Sequence, residues 1–243
     1  MDKKAPKVYK VKDPEPDENF KDLHPHLPAI PSLLLIVGSV KQGKSNLLCN
    51  LTLSPEMYQN RFSKIHFISN TLNADPKGKI LKKYFDCEDH YEDSMIDDII
   101  HKQQEYDENC RPTIALFLDD ILTKDFKKTN QVSFFSTRFR HYIDFYLIAV
   151  QSFRAVAGMI RNNATDVIIC KQQNQKELEK IAEEYGDLVG GQENFLKLYD
   201  EAHKDRYSFL YLKLSENPAE AYIRHETKIY PTRDTETEEL DLD

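Results

Sequence analysis

The residues of this sequence that could do chemistry begin with Gly38–Ser45, which reads G-x-x-x-x-G-K-S. This spacing is typical of a phosphate-binding loop, in which successive backbone N–H groups point at phosphate oxygens. We expect the Lys44 ammonium to reach the β- and γ-phosphates of a nucleotide and the Ser45 hydroxyl to bind Mg²⁺. The predicted nucleotide-binding residues are Gly38, Ser39, Val40, Lys41, Gln42, Gly43, Lys44, Ser45 and Asn46.

The residues on either side of this segment predict the strand and the helix that such a loop requires. Leu33–Val37 is a continuous apolar run, which is typical of a strand buried on both faces. Asn46–Leu51 follows as a helix, and the positive end of a helix dipole favours phosphate. A nucleotide site is therefore favoured over the alternative, a glycine-containing turn that only links a strand to a helix.

A second group of reactive side chains stands at the end of a later apolar run. Thr113–Asp120 predicts a buried strand that ends in the carboxylates of Asp119 and Asp120. Burying adjacent carboxylates for packing alone would be costly. We therefore expect Asp119 to hold Mg²⁺ through its water shell and Asp120 to activate the attacking water. The alternative is that the two acids simply end a strand at the surface.

The next predicted strand adds an amide and two arginines. Gln151 ends the apolar run that starts at Phe145, and its amide can donate to a γ-phosphate and accept from a water. Residues 153–161 are predicted as a short helix with Arg154 and Arg161 on one face. A guanidinium at the transferring phosphate raises turnover by roughly 10³–10⁵-fold, so one arginine is expected to reach a neighbouring subunit's site. Surface salt bridging is the alternative for each.

The sequence also favours ATP over GTP. A GTPase would need N/T-K-x-D, and the nearest string, Thr123–Phe126, has its acid one position early. Asp119 also lacks a glycine three residues further on. ATP with Mg²⁺ is therefore the predicted ligand.

Hydrophobic patterning divides the chain into one domain with two extensions. Residues 1–31 contain six prolines among charged residues and predict an extended or disordered arm, 32–230 a single P-loop domain, and 231–243 an acidic disordered tail. Strands alternate with helices, which predicts an α/β fold with a mainly parallel sheet, helices on both faces and a C-terminal strand pair. The segment 71–93 is polar and turn-rich. The other predicted strands are 64–69, 167–170, 207–214 and 221–225, and the other helices are 94–109, with an N-cap at Ser94, 177–185 and 193–201.

The composition favours a folded protein of a reducing compartment. No apolar stretch approaches the roughly 18 residues of a membrane span, and the N-terminus lacks the apolar region of a signal peptide. The four cysteines are scattered without paired spacing, so neither disulfides nor zinc is expected. The net charge is −8, and much of it comes from the acidic tail. Charge alone therefore neither requires nor excludes DNA as a partner.

The motifs taken together resemble those of a known family. Gly38–Ser45, Leu118–Asp120, Val150–Arg154 and Ile160–Asn163 look like the corresponding segments of poxvirus-type genome-packaging ATPases of large DNA viruses and virophages, within the FtsK–HerA superfamily. The likeness covers about residues 32–225. It implies a RecA-like P-loop NTPase core of the ASCE class and ATP hydrolysis with Mg²⁺. It further implies a ring of about five or six subunits, translocation of double-stranded DNA into a preformed capsid, contact with a capsid vertex or portal, and a location in the host cytoplasm, the viral factory or the virion.

The resemblance also implies roles for individual residues. Asp119 and Asp120 would form the Walker B pair, Gln151 would sense the γ-phosphate, and Arg161 rather than Arg154 would be the arginine that acts in trans. The sequence departs from the family at Lys41, where many relatives have a small residue, and at Asp120, where the wider class has glutamate. The second departure puts the role of Asp120 as the base in question.

A basic and aromatic stretch after the acid pair is the candidate DNA contact. Lys124, Lys127 and Lys128 stand among phenylalanines, and we expect this loop to line the ring pore and grip DNA phosphates without reading bases. The alternative is a solvated basic loop above an amphipathic helix.

Two other functions remain open on the sequence alone. A P-loop kinase of a nucleotide or small metabolite would need an acceptor pocket and an arginine-bearing lid, for which Arg138–Arg140 is the available segment. A nucleotide-gated interaction protein would bind ATP without turnover. The adjacent acids and the strand-ending glutamine favour water as the acceptor, and hence an ATPase.

Overall fold

A computed structural model describes residues 17–107, 110–121 and 130–231 of the 243-residue chain. Within these ranges, nine strands form a single sheet. The strands are β1 Ser32–Val37, β2 Lys64–Ser69, β3 Asp86–Glu88, β4 Ile114–Asp119, β5 Phe145–Val150, β6 Asp166–Cys170, β7 Phe209–Lys213, β8 Glu220–Ile223 and β9 Thr227–Tyr230.

Helices connect most of the parallel strands. The α-helices of the described residues are α1 Lys44–Leu53, α2 Pro76–Leu81, α3 Asp93–Gln104, α4 Asn130–Ser136, α5 Gly158–Asn163, α6 Gln175–Tyr185 and α7 Gln192–Ala202. Short 3₁₀ helices occur at Glu18–Phe20, Phe139–His141, Phe153–Ala155 and Gly186–Val189.

The order of the strands brings the reactive segments to one edge of the sheet. The order is β3-β2-β4-β5-β1-β6-β7-β8-β9. The first six strands in this order run parallel, and β7, β8 and β9 each pair antiparallel with the strand before them. Strand β5 lies between β1 and β4, with Val150 opposite Val37 and Ala149 opposite Asp119. The carboxyl ends of these three strands therefore meet, which is where an open parallel sheet binds its ligand. The predicted α/β, P-loop NTPase fold is confirmed.

Both faces of the sheet are covered, as the apolar runs predict. Side chains of β1 alternate between two hydrophobic cores, with Leu33, Leu35 and Val37 in one and Leu34 and Ile36 in the other. All five are fully buried. A strand that buries both faces has no polar side to show in its sequence, which explains its unbroken apolar run.

The N-terminal segment differs from the predicted extended or disordered arm over its described part. Residues 17–31 contain a 3₁₀ helix, and Phe20 and Leu27 are buried. The Tyr58 hydroxyl donates a 2.6 Å hydrogen bond to the carbonyl of Pro28. Prolines exclude a regular helix but do not prevent apolar neighbours from packing on the domain. Residues 1–16 and the tail from 232 onward lie outside the described residues.

Three local features of the structure differ from the sequence analysis or go beyond it. The segment 71–93 contains α2, which Asp75 caps and Pro76 opens, and the three-residue edge strand β3, which is too short to show a period. Helix α3 begins at Asp93 with Glu92 at its N-cap position and no side-chain cap, so Ser94 does not cap it. Within the described residues, the antiparallel end of the sheet has three strands, since β9 pairs with β8 beyond the predicted pair.

The predicted helix over 153–161 is two separate pieces. The 3₁₀ helix Phe153–Ala155 and α5 are joined by Val156 and Ala157 in extended conformation. Val156 is buried, which favours the break because the side chain turns into the core. The argument that placed Arg154 and Arg161 on one helical face therefore fails.

Two histidines join the N-terminal segment to the turn after β8. His26 Nδ1 donates to the carbonyl of His225 at 2.9 Å, and His225 Nδ1 donates to the carbonyl of His26 at 3.1 Å. Because both acceptors are carbonyls, each Nδ1 must carry the proton. Burial lowers the pKa of His225 to about 4, and the neighbouring His26 and His24 also lower it. Protonation of His225 is therefore easier in the unfolded chain.

This shift predicts a loss of stability on acidification. A lowered histidine pKa stabilises the fold above the ordinary pKa of about 6.5 and ceases to do so as the pH falls towards 4. When the pH is lowered from about 7.5 to about 5, His225 takes up a proton in the unfolded chain but not in the folded one. This difference is expected to lower the free energy of unfolding by about 2 kcal/mol. Urea unfolding of His225→Gln should show that much less pH dependence than the wild type. The exposed His101→Gln is the matched control, and equal pH dependence in both variants would contradict the prediction.

Candidate nucleotide-binding and catalytic site

The phosphate loop (Gly38–Ser45) joins the end of β1 to the start of α1, as predicted. Gly43 takes φ +95° at the N-cap of α1, a conformation that glycine adopts without a Cβ clash. Gly38 lies against the end of β6, where an added Cβ would stand 2.5 Å from Cys170 Cβ. Gly43 is thus favoured by its backbone conformation and Gly38 by the close approach of Cys170.

Gly38→Ala is expected to destabilise the protein. The new methyl must displace Cys170 or the end of β1, and overpacking of this kind costs about 1–3 kcal/mol of unfolding free energy. Gly158→Ala is the matched control, because a Cβ there meets only Arg161 Nη2 at 3.6 Å. Thermal unfolding of the two variants should separate them, and an unchanged melting temperature for Gly38→Ala would contradict the close packing.

Lys44 is the first residue of α1, and its side chain turns back over the loop. Its ammonium donates to the carbonyl oxygens of Gly38 at 2.5 Å and Ser39 at 3.3 Å, and the residue is only 7% exposed. The loop is held from the other side, since Ser39 Oγ accepts from the backbone N–H of Gln173 at 2.9 Å. A buried cation is therefore fixed where the motif places phosphate oxygens.

Asp119 closes β4 in a buried position beside the loop. It is 6% exposed and accepts a hydrogen bond from Ser69 Oγ at 3.0 Å. Burial raises the pKa of Asp119 to about 7, and the charge of Asp120 adds to the increase. A cation bound beside Asp119 would lower this pKa and favour the charged carboxylate.

The same corner fits Mg²⁺. Ser45 and Asp119 line one small cavity, and their hydroxyl and carboxylate oxygens are the ligands that this hard cation prefers. Among the described residues no group of three or more His, Cys, Asp or Glu side chains could hold a metal. At nucleotide sites Mg²⁺ usually takes one or two protein oxygens together with phosphates and water.

Asp120 and Gln151 form a direct pair at the mouth of the site. Gln151 Nε2 donates to Asp120 Oδ2 at 2.8 Å, and the Asp120 backbone N–H donates to Ala149 at 3.0 Å. Asp120 has φ +49°, a left-handed conformation that costs energy for a residue with a side chain. The turn after β4 thus brings this carboxylate to the glutamine that follows β5.

A large cleft brings Lys44, Asp120 and Gln151 together. Its volume is about 1420 Å³, and it is lined by Val40–Asn46 of the loop together with Asp120 and Gln151. The cleft is also lined by residues that the sequence analysis did not identify: His24, Arg206, Tyr207 and Arg224. These positions carry no motif, and only the fold brings them to the loop.

The two candidate arginines lie away from this cleft within one chain. Arg161 Nη1 donates to Glu184 Oε2 at 2.9 Å, and its guanidinium lies 5.1 Å from the Phe153 ring centroid. Arg154 is exposed, and its backbone N–H donates to Glu177 Oε2 at 3.1 Å. Of the described arginines, those that line the cleft are Arg206 and Arg224. Lys124, Lys127 and Lys128, the candidate DNA contacts, lie outside the described residues.

The sheet order and the loop define a P-loop NTPase fold, and two solved structures of the same kind show it. The crystal structure of B204, the DNA-packaging ATPase from Sulfolobus turreted icosahedral virus, matches with a TM-score of 0.56 and 15% identity over 80% of this chain and 97% of that one. The genome-packaging NTPase B204 of Sulfolobus turreted icosahedral virus 2 in complex with AMP matches with a TM-score of 0.54 and 15% identity over 79% and 96%. The resemblance to packaging ATPases is thus confirmed at the level of the fold.

A comparison with curated sequences found a relative whose function is not described. An uncharacterized protein, 088R of Invertebrate iridescent virus 3, is 26% identical over 187 residues, which cover 74% of this chain and 69% of that protein. No family model matches the chain. In the part of the chain that the structure describes, no helix is long and apolar enough to cross a membrane.

Proposed function

We propose that this protein hydrolyses ATP with Mg²⁺ and uses the energy to move double-stranded viral DNA into a preformed capsid. The observation that carries the proposal is the convergence of Lys44, Asp120 and Gln151 on one cleft at the carboxyl ends of β1, β4 and β5. The packaging role draws support from the fold shared with the packaging NTPase B204.

The chemistry follows from the charges and donors in the cleft. Lys44 would leave the loop carbonyls for the β- and γ-phosphates and offset their charge. Asp120 would take a proton as the water oxygen attacks the γ-phosphorus, and the bond to the bridging oxygen breaks to release ADP. The Gln151 amide would orient that water. Ser45 and Asp119 would hold Mg²⁺, which when bound would offset negative charge on the phosphates.

A shared site between subunits completes the proposal. Arg161 of one subunit would enter the cleft of its neighbour in a ring of about five or six subunits, after exchanging Glu184 for a phosphate. Transition-state charge at the phosphate is what a guanidinium supplied in trans stabilises. The capsid vertex or portal would then hold the ring, in the host cytoplasm or viral factory.

The proposal predicts that DNA stimulates hydrolysis through the basic loop. ATP turnover would be measured with and without long double-stranded DNA for the wild type, for the Lys124→Ala/Lys127→Ala/Lys128→Ala variant and for Lys44→Ala. The triple variant should keep its basal rate and lose the stimulation, because phosphate contacts carry this affinity. Lys44→Ala should lose both activities.

The matched control is the exposed Lys83→Ala, which should behave as the wild type does. Unchanged DNA stimulation in the triple variant would contradict the pore loop, and turnover that responds only to a small-molecule acceptor would favour a kinase. In the described part of the chain, Arg138 and Arg140 stack on Phe134 and Phe139 and do not line the cleft, so the structure does not favour the kinase alternative.

A further inference from the structure

Tyr207 has an unusual conformation for an aromatic residue. It lies between α7 and β7 with φ +64°, and its side chain is 54% exposed. A bulky side chain at positive φ is an outlier, and such strain persists where the surrounding structure holds it, often at ligand sites. The exposed ring contributes little to the core, so packing does not explain the strain.

The Tyr207 ring borders the phosphate loop. A Cβ built on Gly43 would stand 3.6 Å from Tyr207 Cβ and 3.7 Å from Cδ1, so the tyrosine packs beside the residue that caps α1. The Arg206 guanidinium lies 4.6 Å from the centroid of the same ring. Arg206 and Tyr207 both line the cleft that contains Lys44. A cationic plane and an aromatic ring are thus stacked at the edge of the loop.

The size of the cleft indicates a ligand larger than the phosphates. Its volume of about 1420 Å³ exceeds the range of roughly 300–1,000 Å³ for small-molecule sites. Besides the phosphate loop, its lining includes Gln151, which follows β5, and Arg206 and Tyr207, which precede β7. A planar aromatic group attached to a phosphate chain has the matching chemistry, since bases stack on aromatic rings and on guanidinium planes.

We propose that the Arg206–Tyr207 pair binds the base of the nucleotide by stacking. This assignment rests on the proposed nucleotide site and adds to it the residues that hold the base. Stacking depends on the π-face and not on hydrogen-bond pattern, so the pair contributes affinity for purines in general. The strained backbone keeps the ring at the loop, which lowers the entropic cost of binding.

The test compares ATP with a ligand that has phosphates and no base. Dissociation constants for ATP and for inorganic tripolyphosphate would be measured by titration calorimetry on the wild type, Tyr207→Gly, Tyr207→Phe and Tyr84→Ala. Tyr207→Gly should weaken ATP by about 5- to 150-fold and leave tripolyphosphate within about 2-fold. Tyr207→Phe should keep its affinity for ATP, and the exposed Tyr84, outside the cleft, is the matched control.

A stability measurement separates this role from a structural one. Glycine accepts positive φ without strain, so Tyr207→Gly should unfold at the same or a higher temperature while binding ATP more weakly. Equal ATP affinity in the wild type and Tyr207→Gly, or equal weakening of ATP and tripolyphosphate, would overturn the base assignment alone. A wild-type protein that binds neither ligand would overturn the nucleotide site and the assignment together.

Discussion

Asp120→Asn is expected to lower ATP turnover by about 10²–10⁴-fold, the contribution of a general base, while ATP binding changes little. The carboxylate that would take the water's proton is replaced by an amide that cannot. The fold should tolerate the change, because asparagine adopts positive φ readily and its oxygen can still accept from Gln151 Nε2. Steady-state phosphate release and equilibrium ATP binding, measured on the same preparation, check the two halves of this prediction.

Asp98→Asn removes an exposed carboxylate from α3 and is the matched control, with unchanged turnover expected. Asp120→Glu restores a base one methylene longer, as in the wider ATPase class, and should recover part of the rate. Turnover of Asp120→Asn close to that of the wild type would show that Asp120 is not the base. A loss of ATP binding equal to the loss of turnover would instead assign it to binding.

Arg161→Ala should produce the other large effect, a fall in turnover of about 10³–10⁵-fold. Under the proposed function, the variant would lose the guanidinium that stabilises transition-state charge in the neighbouring subunit. Mixing Arg161→Ala with Lys44→Ala should restore activity, because some interfaces then combine an intact loop from one subunit with an intact arginine from the other. Phosphate release by the separate variants and by their mixture is the measurement.

The structure supplies a matched control for the arginine. Glu184→Gln breaks the same 2.9 Å ion pair but keeps the guanidinium, so it should stay active if Arg161 works on phosphate. If Glu184→Gln loses as much activity as Arg161→Ala, the pair is structural. Arg154→Ala tests the other candidate, and a large loss there with none at Arg161 would move the assignment to Arg154.

Patterns within short segments were sufficient to predict most of the sheet and part of the site. The phosphate loop, the acids at the end of β4 and the glutamine after β5 each follow a run of buried apolar residues. The same short segment therefore predicts both the strand and the reactive side chain at its end. The rule that parallel strands bind ligands at their carboxyl ends then predicts that these side chains meet. Lys44, Asp120 and Gln151 do line one cleft.

Helix continuity and packing were harder to predict from the same patterns. The break at Val156 and Ala157 depends on where the Val156 side chain is buried, which no local period reports. The proline-rich segment 17–31 looked like an arm, yet Phe20, Leu27 and the bond from Tyr58 to Pro28 attach it to the domain. Each case depends on partners that are distant in sequence.

The sequence by itself therefore determined the phosphate loop, its strand and helix, and the polar residues that end the parallel strands. Only the tertiary structure decided that β5 lies between β1 and β4, that Arg161 pairs with Glu184, and that Arg206 and Tyr207 reach the loop. The physical reason is that apolar periodicity records whether a residue is buried, not which distant residue it is buried against. Strand order and long-range contacts follow from the packing of all the elements at once. This packing brings Arg206 and Tyr207 to the cleft beside the phosphate loop.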